Sequence, residues 1–223
     1  MCKIMKEFFN KLFFVSILVI STSFAVANED YLDENPSINE NNHGGKQNFF
    51  EHDIVQGDKN ADVVVVEYFS FTCPHCAYFH SSIYPKLKAK YIDTKKIAFV
   101  QREYVGTRQD LEASVLARCA GKDKRLQFYD VLLSNQETWA FNRNFDEILK
   151  NIAQMGGVSQ EEFDKCLNDD KLIRILMNNS KIINRTPGFV GTPVFVINNK
   201  VHKGNFSLEV LGKVIDNHLG EDN

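Results

Sequence analysis

Cys73 and Cys76 are the residues of this chain best suited to do chemistry. They stand in Cys73-Pro74-His75-Cys76, just after the β-branched run Val63-Val64-Val65-Val66 and the stretch Glu67-Tyr68-Phe69. Two cysteines at this spacing lie on adjoining corners of one helical turn and can close a small disulfide ring. Helix is expected from Ala77 to Ala89, which puts Cys73 at its N-terminus. There, unpaired N–H groups and the positive end of the dipole favour thiolate. Such surroundings take a free-cysteine pKa of about 8.5 into a range of roughly 3.5–7.5. A thiol so acidified attacks well and, more to the point, leaves well.

Three kinds of chemistry compete for the pair. A structural zinc site normally takes four ligands, commonly from a second Cys pair or a paired His motif. The sequence offers neither, and His43, His52, His80, His202 and His218 show no ligand spacing, so no metal is expected. An inert disulfide is the second option, but closing so tight a loop gains little chain entropy. Redox exchange is the reading that fits a strand before the motif and a helix after it. No cofactor is required for it.

The elements that must hold the pair follow from hydrophobic patterning. Val63 to Phe69 is apolar on both faces, as in a central strand covered on both sides. Glu67 interrupts it, and a carboxylate there is costly to bury charged. One reading puts Glu67 beneath the cysteine helix, with a raised pKa, passing a proton to or from Cys76. The other lets it snorkel to a lysine at the sheet edge. The helix after Cys76 carries Tyr78, Phe79, Ile83, Tyr84 and Leu87 on one broad face, and Pro85 should bend it or end its first half. Asp53-Ile54-Val55 reads as a short edge strand closed by Gly57-Asp58, and Ile97 to Val100 as the next strand. Strand, helix, strand argues a parallel right-handed unit.

From Thr107 to about Ile183 the signals are helical. Gly156-Gly157 ends one helix, and Ser159 with Glu162 reads as a capping box for the next. Cys119 and Cys166 each fall on a predicted helix, either bridged or as two buried thiols. A bridge is the default outside the cytosol and would stabilise by up to about 4 kcal/mol in the chain-entropy account. Sheet returns at Gly191-Thr192-Pro193 and Val194-Phe195-Val196-Ile197. Asn198-Asn199 then turns into Lys200-Val201-His202. Ser207 caps a final helix. Proline heading a strand is allowed, and spacing leaves its isomer open.

The chain has 223 residues, 43% hydrophobic and 25% charged, which suits one globular domain plus a tail. Residues 1–27 read as a secretory signal: Lys3, Lys6 and Lys11, an apolar stretch from Leu12 to Phe24, and Ala25-Val26-Ala27 at the cleavage site. An uncleaved anchor is the alternative, and the apolar run is short for it. Losing that segment removes Cys2, three Lys and one Glu, and moves the net charge from −3 to −5. Four cysteines remain for an oxidising compartment. An acidic balance gives no reason to expect a nucleic-acid partner. Residues 28–48 read as a flexible polar tail and 49–223 as the folded domain.

Glu67 through Cys76, together with Gly191-Thr192-Pro193-Val194-Phe195-Val196-Ile197-Asn198, resembles the DsbA family of periplasmic thiol:disulfide oxidoreductases. The similarity extends from about Phe49 to the C-terminus. It implies an α/β thioredoxin-like fold with a helical subdomain inserted at about 107–185. It also implies that Pro193 is cis and faces the disulfide, that Thr192 bonds extended substrate backbone, and that Glu67 is the family's buried acid. A very low Cys73 pKa and an oxidising potential come with the resemblance alone. His75, if protonated, would add positive charge beside Cys73 rather than being a merely solvated helix residue. Clients would be reduced secreted or periplasmic proteins, and re-oxidation would fall to a DsbB-like quinone-linked membrane oxidase. Thr192 is a departure: the enterobacterial type has valine there, while disulfide isomerases carry threonine. An isomerase or reductase is therefore the rival enzyme, although residues 28–48 are too short and polar for an isomerase's dimerisation domain. A non-catalytic chaperone with a structural Cys73–Cys76 bridge is the rival of another class. Oligomeric state is left open by the sequence.

Overall fold

The computed structural model describes residues 49–203 and 206–220. The expected signal and tail at 1–48 lie outside them. Among the described residues, five strands form one mixed sheet in the order β1-β3-β2-β4-β5: β1 Gln56–Gly57, β2 Val64–Phe69, β3 Ala98–Glu103, β4 Val194–Ile197 and β5 Lys200–His202. β2 runs parallel to β3 and antiparallel to β4. The edge strand therefore falls at Gln56–Gly57 and not at Asp53-Ile54-Val55, with Gln56 opposite Phe99. Asp53 is instead a buried partner for Arg102, its Oδ2 2.7 Å from the guanidinium, and the Phe50 ring lies 3.7 Å from the Arg102 Cζ.

Strand alternation divides the core. Val65, Phe99, Phe195 and Ile197 meet Phe79, Leu87 and Tyr91 of the cysteine helix and Leu211 and Ile215 of the last helix. Val64, Val66, Tyr68, Val100, Val194 and Val196 pack on the opposite face with Ile183. This two-sided cover is why β2 reads as a continuous apolar run.

Helical backbone begins at Pro74, earlier than expected, and continues to Ile92. It comprises α1 Pro74–Tyr78, a π-helical turn at Phe79–Ile83, α2 Tyr84–Leu87 and a second π-helical turn at Lys88–Ile92. Pro85 does not end the helix. It falls in the first turn of α2, just after a π-helical turn, the kind of irregularity with which helices bend.

The insertion holds α3 Arg108–Cys119, α4 Arg125–Ser134, α5 Gln136–Trp139, α6 Phe145–Met155, α7 Gln160–Leu167 and α8 Asp170–Arg185. Its core, around Leu116, Tyr129, Leu132, Trp139, Leu149 and Phe163, is continuous with Phe69, Phe71 and Cys76. Capping boxes at Thr107–Asp110 and Ser159–Glu162 start α3 and α7. Cys119 and Cys166 are bridged, tying the end of α3 to α7. Ser207 accepts a hydrogen bond from the Val210 N–H and opens α9 Leu208–Leu219. Asn198 and Asn199 take positive φ in the β4–β5 turn, as a tight hairpin requires.

β3 extends beyond Val100 through Gln101, Arg102 and Glu103, all buried. Their polarity hides the strand in sequence, and partners elsewhere in the chain make burial tolerable. Arg118 of α3 donates twice to Glu103, at 2.8 and 2.6 Å, and the Tyr129 hydroxyl of α4 donates to the same carboxylate. The sheet and the insertion are thus joined by satisfied buried charge.

Candidate active site

Cys73 is the N-cap of α1 with extended backbone (φ −83°, ψ 117°), and Pro74 occupies the first helical position. Proline suits that position because its missing N–H would have had no helical partner. The turn leaves Cys73 half-buried and Cys76 buried, both as free thiols. β4 is preceded by a cis Thr192–Pro193 peptide, the isomer the resemblance implied. This loop lies against the first cysteine: in its protonated form the Cys73 thiol donates to the Thr192 carbonyl at 3.1 Å.

The two thiols differ in acidity. Cys73 is held down at about 5, first by the S–H of Cys76 donating to its sulfur. Burial opposes this, while the Thr192 side chain and the backbone N–H groups of Cys76 and His75 reinforce it. Cys76 is pushed well above its ordinary value, chiefly by burial, then by the hydrogen bond it gives to Cys73. The negative charges of Cys73 and Glu67 push it further, and the Ser70 N–H, 3.4 Å from its sulfur, is the opposing influence. One turn of helix therefore separates a thiol ionised at neutral pH from one that holds its proton.

Glu67 is 1% exposed on β2. By strand parity it shares the face of Val65, beneath the cysteine helix. Its partner is not a lysine. Gln101, directly opposite on β3, donates to it at 2.9 Å. Gln101 is itself held by Gln56, and Gln56 by the Tyr84 hydroxyl. Burial lifts the Glu67 pKa to about 8 and the Gln101 bond offsets part of that rise, so the carboxyl is mostly protonated at pH 7. His75 is exposed and meets the Cys73 sulfur through its backbone N–H.

Residues not singled out from sequence hold the loop before Cys73. Asp110, buried at the start of α3, accepts from the Ser70 hydroxyl at 2.8 Å and the Thr72 N–H at 2.9 Å. Gln136, buried at the start of α5, donates to the carbonyls of Phe71 and Cys73. The capping pattern Thr107-x-x-Asp110 was a usable signal for Asp110. Gln136 had none, because its partners lie over sixty residues away.

A mixed sheet, a dithiol helix N-terminus, a facing cis-proline and an intervening helical block define a thioredoxin-like protein of the DsbA architecture. The chain belongs to the thioredoxin family, whose profile, described as Thioredoxin, matches residues 50–217. It is 48% identical over 172 residues to a "Putative protein-disulfide oxidoreductase" of Rickettsia bellii, covering 77% of this chain and 66% of that protein. A similarly described relative in Rickettsia conorii is 46% identical over 172 residues, covering 77% and 62%. The match thus spans slightly under two-thirds of these relatives' own length. Among solved structures, α-DsbA1 of Wolbachia pipientis superposes with a TM-score of 0.70 at 29% identity, covering 78% of this chain and 94% of that one.

Proposed function

We propose that this protein is a thiol:disulfide oxidoreductase that donates a Cys73–Cys76 disulfide to reduced proteins during oxidative folding. The observation that carries the reading is the opposed acidity of the two thiols, Cys73 held down to about 5 and Cys76 pushed well up. In the exchange, a substrate thiolate attacks Cys73 Sγ of the oxidised pair. The Cys73–Cys76 bond breaks and Cys76 leaves as a thiolate. Glu67, protonated and with a pKa below that of Cys76, gives it a proton, a transfer that runs downhill. A second substrate thiolate then attacks the substrate sulfur of the mixed disulfide, expelling Cys73 as a stable thiolate. Two electrons pass from the substrate dithiol to the Cys73–Cys76 pair. Thr192 and Pro193 hold the substrate backbone beside the reacting sulfur.

The signal-like residues 1–27 support a periplasmic site of action, with secreted or periplasmic clients and a DsbB-like quinone-linked membrane oxidase as electron acceptor. Among the described residues no helix is long and apolar enough to cross a membrane. Thr192 ahead of Pro193 keeps an isomerase as the second reading. Equilibration with glutathione, followed by refolding assays on reduced and on scrambled substrate, separates the two. A donor oxidises reduced substrate and has an oxidising potential. A strongly reducing pair, or activity confined to scrambled substrate, would refute the donor role.

A further inference from the structure

We propose that Gln136 is a positioning residue of the thiol chemistry, pinning the Phe71 and Cys73 carbonyls so that the helix N-terminus is held against the Cys73 sulfur. The inference rests on the reading of Cys73 and Cys76 as the exchange pair. Gln136 is 3% exposed and belongs to the inserted helices, 63 residues along the chain from Cys73. Its Nε2 donates to the Phe71 carbonyl at 2.6 Å and to the Cys73 carbonyl at 3.0 Å. A side-chain amide buried this deeply keeps its place through such bonds, since an unpartnered one is costly.

The second of these bonds bears on the sulfur. The Cys73 carbonyl accepts the helix's own bonds, from the Cys76 N–H at 3.0 Å and the Ala77 N–H at 3.2 Å, and the Gln136 amide joins them. A carbonyl oxygen has two lone-pair sites. Three donors share them, and the Gln136 amide is the one that fixes the carbonyl from outside the cysteine helix. With the carbonyl held from α5, the N-cap turn keeps the backbone N–H groups of His75 and Cys76 beside a sulfur that carries negative charge. Asp110 grips the other side of the same loop through Ser70 and Thr72. The insertion therefore fixes both donors and acceptors of the segment leading into Cys73, and its packing is transmitted to the reacting atom.

Gln136→Met tests this, because it nearly keeps the side-chain length and volume but has no N–H. The measurements are the ultraviolet thiolate titration of Cys73, the equilibrium with glutathione, and the melting temperature. The control is Trp139→Phe on the same helix. Trp139 is buried and donates to the Leu132 carbonyl at 2.9 Å, and so touches neither Phe71 nor Cys73 carbonyls. Gln136→Met is expected to raise the Cys73 midpoint by about half to one pH unit, the effect of one neutral hydrogen bond. The glutathione equilibrium should move about 3- to 10-fold toward the oxidised protein, because a less stable thiolate disfavours the reduced form. Trp139→Phe should lower the melting temperature and leave the midpoint in place. An unmoved midpoint in Gln136→Met, or an equal rise in Trp139→Phe, would overturn the inference. Should Gln136→Met not fold, Gln136→Asn, which withdraws the donor by one methylene, carries the same expectation. An ordinary midpoint in the wild type would overturn the exchange-site reading and this inference with it. A low wild-type midpoint that Gln136→Met leaves unmoved would overturn this inference alone.

Discussion

Glu67→Gln is expected to stabilise the reduced protein by an amount that grows with pH. In the folded chain the Glu67 carboxyl is raised from 4.5 to about 8 by burial. Between those values the folded state keeps a proton that the unfolded state has lost, so stability falls as pH rises across the window. At 1.36 kcal/mol per pH unit, the cost is nil below 4.5, about 3 kcal/mol at pH 7, and approaches about 5 kcal/mol above pH 8. The amide introduced by Glu67→Gln would not ionise, and its oxygen can still accept from Gln101, which in the wild type donates to Glu67 at 2.9 Å. Urea unfolding of the reduced wild type and variant, at pH about 5, 7 and 9, reads the difference. The contribution of Cys73, common to both proteins, largely cancels. The gap should widen by several kcal/mol from the lowest pH to the highest. A gap that stays constant would mean that Glu67 does not hold its proton in the folded state. The same variant should exchange disulfides more slowly, because it cannot protonate the departing Cys76.

Cys76→Ala is expected to raise the Cys73 pKa more than His75→Ala does, since the Cys76 S–H is the largest influence lowering it. Cys76→Ser keeps a donor and should fall between wild type and Cys76→Ala in the same thiolate titration; equal effects of Cys76→Ala and His75→Ala would contradict this. Replacing both Cys119 and Cys166 by Ala opens a loop with a sequence separation of 47 residues. The expected loss is about 4 kcal/mol in chemical unfolding, with little change in the glutathione equilibrium, because the bridge joins α3 to α7 and not to the Cys73 turn.

Much of this fold was legible because its signals are local. β2 declares itself by β-branched residues, the β4–β5 hairpin by Asn198-Asn199, and two helix starts by Ser159 and Ser207. Cys73 was legible as lying at a helix N-terminus because its neighbours in sequence are its neighbours in space, although the helix begins at Pro74 and not at Ala77. What escaped depends on distant partners. The strand expected at Ile97 to Val100 stops short of Gln101, Arg102 and Glu103, yet β3 runs through them because Glu67, Asp53 and Arg118 are there to meet them. Asp53 drew a strand where the chain instead supplies a buried countercharge. The grip of Gln136 on the Cys73 loop has no sequence signature, since nothing near Asn135-Gln136 points to Phe71 or Cys73.

The account depends most directly on the ionisation of Cys73 in the reduced protein. Its thiolate titration, with the rate of alkylation as a second readout, should give a midpoint near 5, leaving Cys76 unreactive through neutral pH. A midpoint at about 8.5, as in an unperturbed cysteine, would contradict the claim that this site makes Cys73 a good leaving group.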